Sequence, residues 1–287
     1  MRKKLIALDM DGTFLNHKKE IPEENKQAVF DAIKAGHQVM ICSGRPHGHL
    51  MKYLKEEGLG ALPVSACNGS LSIVDGQTID VRGMDKTVAK QAFDWLNAHE
   101  YPFNIYTNED IYSQVDMIER ARVALELVPP EVASGHINLD MLEAYIAKNN
   151  VVKIQSFDDI PPEIQVLKFY VFTPAPKEKK AFETFAHTLP GLTVTSSFGD
   201  NVEISDALGH KGTGLKAVAD YFNIPMEDTV AMGDNFNDEG MLAVAGLAVA
   251  MENGEPGVKE MCHVTTLSND ACGVAYAIYN YVLNSGE

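Results

Sequence analysis

Short apolar runs that stop abruptly at turn residues alternate with helically spaced segments along the first third of the chain. Leu5–Leu8 ends at Asp9, Gln38–Cys42 ends at Ser43, and Pro63–Cys67 ends at Asn68. Runs of this length and abruptness read as buried strands. Between them, Glu23–Ala35 has the apolar spacing of a helix that closes at Gly36, and His47–Glu57 does the same before Gly58. The βαβαβ order predicts parallel strands joined by right-handed crossovers. Leu71–Val74 and Thr78–Val81 follow as a hairpin, because Asp75-Gly76 suits the positive φ of a type I′ turn.

The pattern changes near Gly83-Met84. Thr87–Ala98 and Lys177–Thr188 read as longer helices, and Phe103–Tyr106 and Val166–Phe172 as aromatic-rich strands. Pro129-Pro130, Pro161-Pro162 and Pro174 punctuate this stretch, which also holds the single tryptophan, Trp95. After His210 the first pattern returns. Gly212–Phe222 is a helix, Thr229–Met232 a strand, Asp238–Val244 a helix, Leu247–Ala250 a strand and Gly273–Leu283 a last helix. We therefore expect an α/β protein with a doubly wound parallel core formed by residues 1–83 and 207–287. Residues 84–206 form an inserted α+β domain. No internal repeat or low-complexity tract is visible.

Composition narrows the functional classes. Hydrophobic residues make up 45% of the 287, enough for a sizeable core. The formal net charge of −16 argues against nucleic acid and against anionic membranes, since neutralising phosphates needs a Lys/Arg surface. A small anionic substrate remains compatible if a local cation cluster overcomes the global field. The apolar run after Met1-Arg2-Lys3-Lys4 is too short for a signal-peptide core. The longest apolar stretch, Met241 to Met251, is too short to span a bilayer. Cys42, Cys67, Cys262 and Cys272 show no CxxC spacing and read as reduced thiols of a cytoplasmic protein.

The chemistry-bearing residues fall where the core strands end, and ligand sites in open α/β sheets lie there. Asp9-Met10-Asp11-Gly12-Thr13 sets two carboxylates just past the first strand. One can attack and the other can give and take a proton, although an Asx-type turn would use the same residues. Ser43-Gly44-Arg45-Pro46 follows the second strand and reads equally as an anion site at a helix N-terminus or as an ordinary N-cap. Lys211 opens a helix, where a cation opposes the macrodipole, so a paired anion is expected nearby. Gly233-Asp234-Asn235-Phe236-Asn237-Asp238 ends a further strand with carboxylates separated by amides, a donor set for a hard cation or a capped turn.

Taken in order, these four motifs resemble the haloacid dehalogenase superfamily. More narrowly, they are similar to the Cof-type sugar-phosphate phosphatases with a C2B cap. The position of the insert, Asn68-Gly69 after the third strand and Lys211-Gly212-Thr213-Gly214-Leu215 at its helix support that branch. The resemblance covers essentially the whole chain. It implies a Rossmann-like core, with the insert as a cap that closes over the strand ends and sets specificity. It also implies a Mg²⁺-dependent phosphatase acting on small phosphate monoesters through an aspartyl-phosphate. Asp9 would be the nucleophile and Asp11 the general acid and base. Asp9, the Asp11 carbonyl and Asp234 would hold Mg²⁺, with Asp238 supporting the metal's waters or Lys211. Ser43, Lys211 and Asn237 would bind the phosphoryl oxygens, together with Gly44. Arg45 would brace the loop or meet the substrate, and Asn68 would organise the loop or touch the substrate.

Two positions depart from the family pattern. His210 stands where Ser or Asn commonly precedes the lysine, and reads as a solvated loop residue. Gly240 lies in the helix after Asp238, where a helix-favouring residue is commoner. Within the insert, Asn108, Glu109, Tyr112 and His136 are candidate substrate contacts for which a plain surface role is expected. A phosphotransferase or phosphomutase shares every motif, and a non-catalytic phospho-ligand sensor shares the fold. A monomer or small homo-oligomer is expected.

Overall fold

The computed structural model describes residues 2–129, 139–149, 151–196 and 199–284. In chain order these form β1 (Leu5–Asp9), α1 (Glu23–Lys34), β2 (Gln38–Cys42), α2 (His47–Glu56), β3 (Val64–Ala66), β4 (Leu71–Val74) and β5 (Gln77–Val81). Next come α3 (Lys86–Ala98), β6 (Phe103–Thr107), β7 (Ile111–Gln114), α4 (Met117–Glu126), α5 (Leu139–Lys148) and β8 (Val152–Ile154). They are followed by β9 (Val166–Phe172), α6 (Pro176–Ala186), β10 (Leu192–Thr195) and β11 (Asn201–Asp206). The last are α7 (Lys211–Tyr221), β12 (Thr229–Gly233), α8 (Glu239–Val244), β13 (Leu247–Ala250), α9 (Pro256–Met261), β14 (Val264–Thr265) and α10 (Gly273–Ala277). The chain divides into two compact units, Met1–Val81 with Gly209–Glu287, and Arg82–Leu208.

In the first unit the strands lie in the order β14-β13-β12-β1-β2-β3-β4-β5. Strands from β14 to β3 are parallel, and β4 and β5 add an antiparallel edge. The expected hairpin is present, with Asp75 at φ 50° and Gly76 at φ 75°. β1 is central and wholly buried, which is why Leu5–Leu8 is apolar without alternation. One face packs Leu5, Ala7 and Met40 against Leu215 and Val218 of α7 and Met241 of α8. α1 and α10 pack together as a second helical layer, with α1 against β2. This is the doubly wound α/β core expected from the alternating pattern. Because β1, β2 and β12 are parallel neighbours, Asp9, Ser43 and Asp234 emerge at the same end of the sheet.

The second unit is built on an antiparallel-rich sheet ordered β10-β11-β9-β6-β7-β8. α3 and α6 cover one face, burying Phe93, Leu96 and Phe182 against Phe103, Phe169 and Val171. Trp95 stacks on Phe185 at 4.5 Å at the rim of this core.

The sequence pattern does not announce β7, β8, β10, β11, β14, α4, α5 or α9. The last helix also stops short of its expected end: α10 ends at Ala277, and Ile278–Leu283 continues as a wider turn. Among the described residues no helix is long and apolar enough to cross a membrane, and all four cysteines are free.

Candidate active site

Asp9 is the last residue of β1 and only 5% exposed. Lys211 opens α7 and is fully buried, an arrangement that burial alone makes unfavourable. Its ammonium is held by Asp9 Oδ1 at 2.5 Å and by Asp238 Oδ1 at 2.5 Å. The paired anion demanded by a cation at a helix N-terminus is therefore two carboxylates. Burial favours loss of the Lys211 proton, but the charges of Asp238 and Asp9 outweigh it and push the pKa up.

Asp238 has no oxygen to spare. Oδ1 takes Lys211, and Oδ2 accepts the backbone N–H groups of Asp234 and Asn235 at 2.9 and 3.0 Å. Its side chain thus ties the loop after β12 to the lysine, with Asn235 capping the short turn at Phe236–Asp238. Asp234 is fixed from the opposite side, where Thr13 donates its hydroxyl to Oδ1 at 2.9 Å. Gly12 makes that approach possible. Its φ is +92°, and a β-carbon there would run into the Asp234 carboxylate.

Asp9, Asp234 and Asp238 each bring a carboxylate oxygen within 4.8 Å of the others. Burial first, and then the charge of Asp238, push the Asp9 carboxyl well above its ordinary range despite Lys211. The same two causes, in the same order, raise Asp234 to about 6. Three carboxylates facing one ammonium leave a surplus of negative charge, carried by Asp9 and Asp234. A small set of carboxylate oxygens with that surplus fits a hard divalent cation such as Mg²⁺.

Asp11 sits in a different electrostatic setting. Arg45 grips it with both ends of the guanidinium, Nε to Oδ2 at 2.8 Å and Nη2 to Oδ1 at 2.9 Å. Lys19 adds a contact at 2.9 Å. Burial raises the Asp11 pKa, but the Arg45 hydrogen bonds and charge, followed by Lys19, pull it down to about 2. The Arg45 guanidinium also lies over the Tyr53 ring, 5.6 Å from its centre. Lys19 was missed from the sequence because it lies in an irregular segment with no motif around it. Its backbone is left-handed at φ 63°, and Tyr53 donates its hydroxyl to the Lys19 carbonyl.

The remaining candidates form a connected rim. Ser43 is buried and its hydroxyl accepts the Arg45 N–H at 3.2 Å. It is not an N-cap, because Pro46 occupies that position of α2. Asn68 folds back onto this loop, with its N–H donating to the Ser43 carbonyl while Cys67 N–H donates to that of Arg45. Cys67 and Asn68 both have positive φ, 51° and 58°, an uncommon pair for non-glycine residues. The Asn68 side chain accepts from Asn237 at 3.5 Å, and its Oδ1 would lie 2.8 Å from a β-carbon at Gly44. Asn68 thus links the loops that carry Gly44 and Asn237. No sequence pattern marks Asn253 and Asn269, which hold the first motif and the turn after it by donating to the carbonyls of Gly12 and Leu15, each at 2.8 Å.

The two departures from the family pattern meet in space. A β-carbon at Gly240 would lie 2.7 Å from His210 Nδ1. Gly240 makes room for the His210 ring, so the pair reads as one compensated change. Of the insert's candidates, Asn108 accepts the Gln165 N–H at 2.7 Å and shapes its loop. Glu109 donates its N–H to the Thr107 hydroxyl in the same turn. Tyr112 belongs to the apolar core rather than to a surface, because β7 points it at the α3 side of the sheet. His136 lies outside the described residues.

A doubly wound sheet whose strand ends gather this lysine and these carboxylates has the architecture of a phosphoryl-handling hydrolase, and the chain belongs to the haloacid dehalogenase-like hydrolase family, whose profile matches residues 6–278. It is similar to phosphatase YwpJ of Bacillus subtilis, 31% identical over 281 residues that cover 95% of this chain and 98% of the relative. It is also similar to the 5-amino-6-(5-phospho-D-ribitylamino)uracil phosphatase YwtE of Bacillus subtilis, 32% identical with 96% of each chain covered. A solved haloacid dehalogenase-like hydrolase from B. subtilis superposes with a TM-score of 0.81 at 30% identity, covering 97% of this chain and all of that one. The Cof-type resemblance and the enzyme class, a phosphoric monoester hydrolase, agree with these relatives.

Proposed function

We propose that the chain hydrolyses small phosphate monoesters, chiefly sugar phosphates, through an aspartyl-phosphate on Asp9 and with Mg²⁺ as cofactor. The observation that carries this reading is Lys211 bridging Asp9 and Asp238 beside Asp234. Asp9 and Asp234, with the Asp11 carbonyl, would hold the metal. Bound there, Mg²⁺ would offset the carboxylate surplus and the charge of the transferring phosphoryl group.

An Asp9 oxygen attacks phosphorus, and the bond to the leaving oxygen breaks. Asp11 delivers a proton to that oxygen. In the second step Asp11 takes a proton from water, the water oxygen bonds to phosphorus, and the bond to Asp9 breaks, releasing phosphate. Lys211 orients Asp9 and faces the phosphoryl oxygens, with Ser43, Gly44 and Asn237 as further donors. Asp238 positions Lys211 and the Asp234 loop. Gripped by Arg45 and Lys19, Asp11 is a carboxylate at neutral pH, so its work as an acid requires that grip to loosen when substrate brings its own anion to Arg45. In this reading residues 1–83 and 207–287 are the catalytic core, and residues 84–206 are the C2B cap that selects the substrate.

Phosphate release from sugar phosphates, nucleotides and pyridoxal phosphate, with Mg²⁺ and with chelator, tests the proposal beside Asp9→Asn. Metal-dependent release that disappears in the variant is the expected result. Release that persists in a folded Asp9→Asn protein would remove Asp9 as nucleophile, and transfer of phosphate to a sugar rather than to water would make the enzyme a phosphotransferase.

A further inference from the structure

The turn that follows β13 touches both loops that carry the metal donors. Met251 N–H donates to the Gly233 carbonyl at 3.0 Å, and Glu255 N–H to the Asp234 carbonyl at 2.9 Å. Gly254 closes the turn through its N–H, which donates to the Met251 carbonyl at 2.9 Å. It lies so near the Asp234 backbone that a β-carbon there would sit 3.0 Å from the Asp234 carbonyl oxygen. Asn253 reaches from the same turn to the first motif, where Nδ2 donates to the Gly12 carbonyl at 2.8 Å. Its Oδ1 accepts the Asn269 N–H at 2.8 Å, so the amide can face Gly12 only with its nitrogen.

Gly12 is where the first motif most needs such a hold. The Asp234 carboxylate fills the space of its β-carbon, so no other residue fits. A glycine at φ +92° adopts either sign of φ readily and has no side chain to fix it. Rotation about Gly12 swings the peptide that carries the Asp11 carbonyl. Two holds on the downstream side oppose it. Asn253 grips the Gly12 carbonyl, and the Thr13 hydroxyl donates to Asp234 Oδ1 at 2.9 Å. Asn253 itself is exposed, so its amide contributes little to the core.

We propose that Asn253 is a positioning residue of the metal site. Through Gly12 it fixes the Asp11 carbonyl, and its turn fixes the Asp234 backbone, so one short segment sets the two donors in relation to each other. The inference rests on the Mg²⁺ reading above. Asn253 is not a ligand, because its oxygen is spent on Asn269. Groups that orient metal ligands without touching the metal carry on the order of 10–100-fold of its affinity.

The test is Mg²⁺ binding to the full chain without substrate, followed by isothermal titration calorimetry. Asn253→Ala removes the hold on Gly12. Thr266→Val is the control, since its hydroxyl donates to the Gly273 carbonyl at 2.7 Å in the same C-terminal segment. Each variant thus loses a side-chain hydrogen bond, but only one loses contact with the first motif. We expect the Kd for Mg²⁺ to rise about 10-fold or more in Asn253→Ala and to stay within about twofold of the parent in Thr266→Val. Parent-like affinity in Asn253→Ala overturns the inference. So does an equal loss in Thr266→Val, which would mean a general loosening of the segment. If Asn253→Ala does not fold, Asn253→Asp decides, because it keeps the oxygen that accepts from Asn269 and turns a second oxygen toward Gly12. Weaker Mg²⁺ binding there, despite the added negative charge, supports the inference, and unchanged or tighter binding overturns it. A parent protein that binds no Mg²⁺ removes the metal reading itself, and the inference falls with it.

Discussion

The two units each bury a lysine, and they treat it differently. In the first unit Lys211 faces Asp9 and Asp238 with Asp234 close by, so one positive charge meets three carboxyl groups. In the second, Lys168 meets Glu203, whose other oxygen is taken by the Asn201 amide. The first cluster is unbalanced, and the pKa values of Lys211, Asp9 and Asp234 are raised in it. The second is matched in charge. An unbalanced buried cluster is expensive unless a further cation completes it, and such sites serve chemistry.

Removing the lysines separates the two cases most strongly. Lys211→Met leaves buried carboxylates without their cation, and we expect about 3 kcal/mol of lost stability with turnover reduced roughly 10³-fold. Lys168→Met/Glu203→Gln removes a matched pair and should stay within about 1 kcal/mol of the parent. Urea unfolding read by circular dichroism measures both. A double variant as damaging as Lys211→Met would make the Lys168 pair a structural pin and end the contrast.

Metal and pH probe the surplus charge directly. Asp234 is raised from 3.8 to about 6 in the fold, so its contribution to stability is fully present below 3.8 and is lost as pH rises toward 6. In chelator the melting temperature should therefore carry a falling component across that window. Mg²⁺ at neutral pH should restore about 2.7 kcal/mol when present at a hundred times its Kd. A melting temperature at pH 7 indifferent to Mg²⁺ would count against the metal site.

Asp11 has the opposite sign. Its pKa is lowered to about 2, so the stability it adds is present above the ordinary 3.8 and fades as pH falls through 2. Its side chain is 40% exposed, so solvent screens most of that contribution. Arg45→Gln should move the Asp11 pKa back toward 3.8 without reaching it, because Lys19 remains, and carboxyl NMR titration would register the change. An unmoved pKa would show that Arg45 does not hold Asp11 in solution.

The smallest effect concerns His210 and Gly240. Alanine for glycine inside a helix ordinarily stabilises by about 0.5–1 kcal/mol. Gly240→Ala should instead destabilise, because its β-carbon meets the His210 ring. Part of the usual gain should return in a His210→Ala background, where the Gly212 backbone nitrogen still lies 3.3 Å from the new β-carbon. A thermal-melt double-mutant cycle reads the coupling, and additive effects would mean the two departures are unrelated.

Legibility differed between the units for the same reason that their lysines do. Leu247–Ala250 and all but the first residue of Gln38–Cys42 are continuously apolar, as strands buried on both faces are, and Val166–Phe172 stays legible despite Lys168 because its other six residues are apolar or aromatic. β11 was not. In Asn201–Asp206 the buried positions on one face are Asn201, Glu203 and Ser205, and a charged residue inside a sheet defeats a hydrophobic pattern. β7 suffered similarly, because its tyrosine was read as polar while its ring is core. At the site, Asp9, Asp234 and Asp238 stand out because they follow recognisable apolar runs, and Lys211 because it opens a recognisable helix. Lys19, Asn253 and Asn269 act from irregular segments through single hydrogen bonds, which leave no period to detect.

The sequence by itself determined the α/β core, the order of its motifs and the identity of the groups that gather at its strand ends. Local periodicity and turn chemistry carry that information, and parallel strands place their ends together. Only the tertiary structure decided how charge is shared among those groups. It showed that Asp238 is consumed by Lys211 and two backbone amides, that Asp11 is gripped by Arg45 and Lys19, and that Gly240 yields to His210. Each of these depends on distances of a few ångströms between residues far apart in the chain, and electrostatic and steric energies at that range cannot be read from spacing along the sequence.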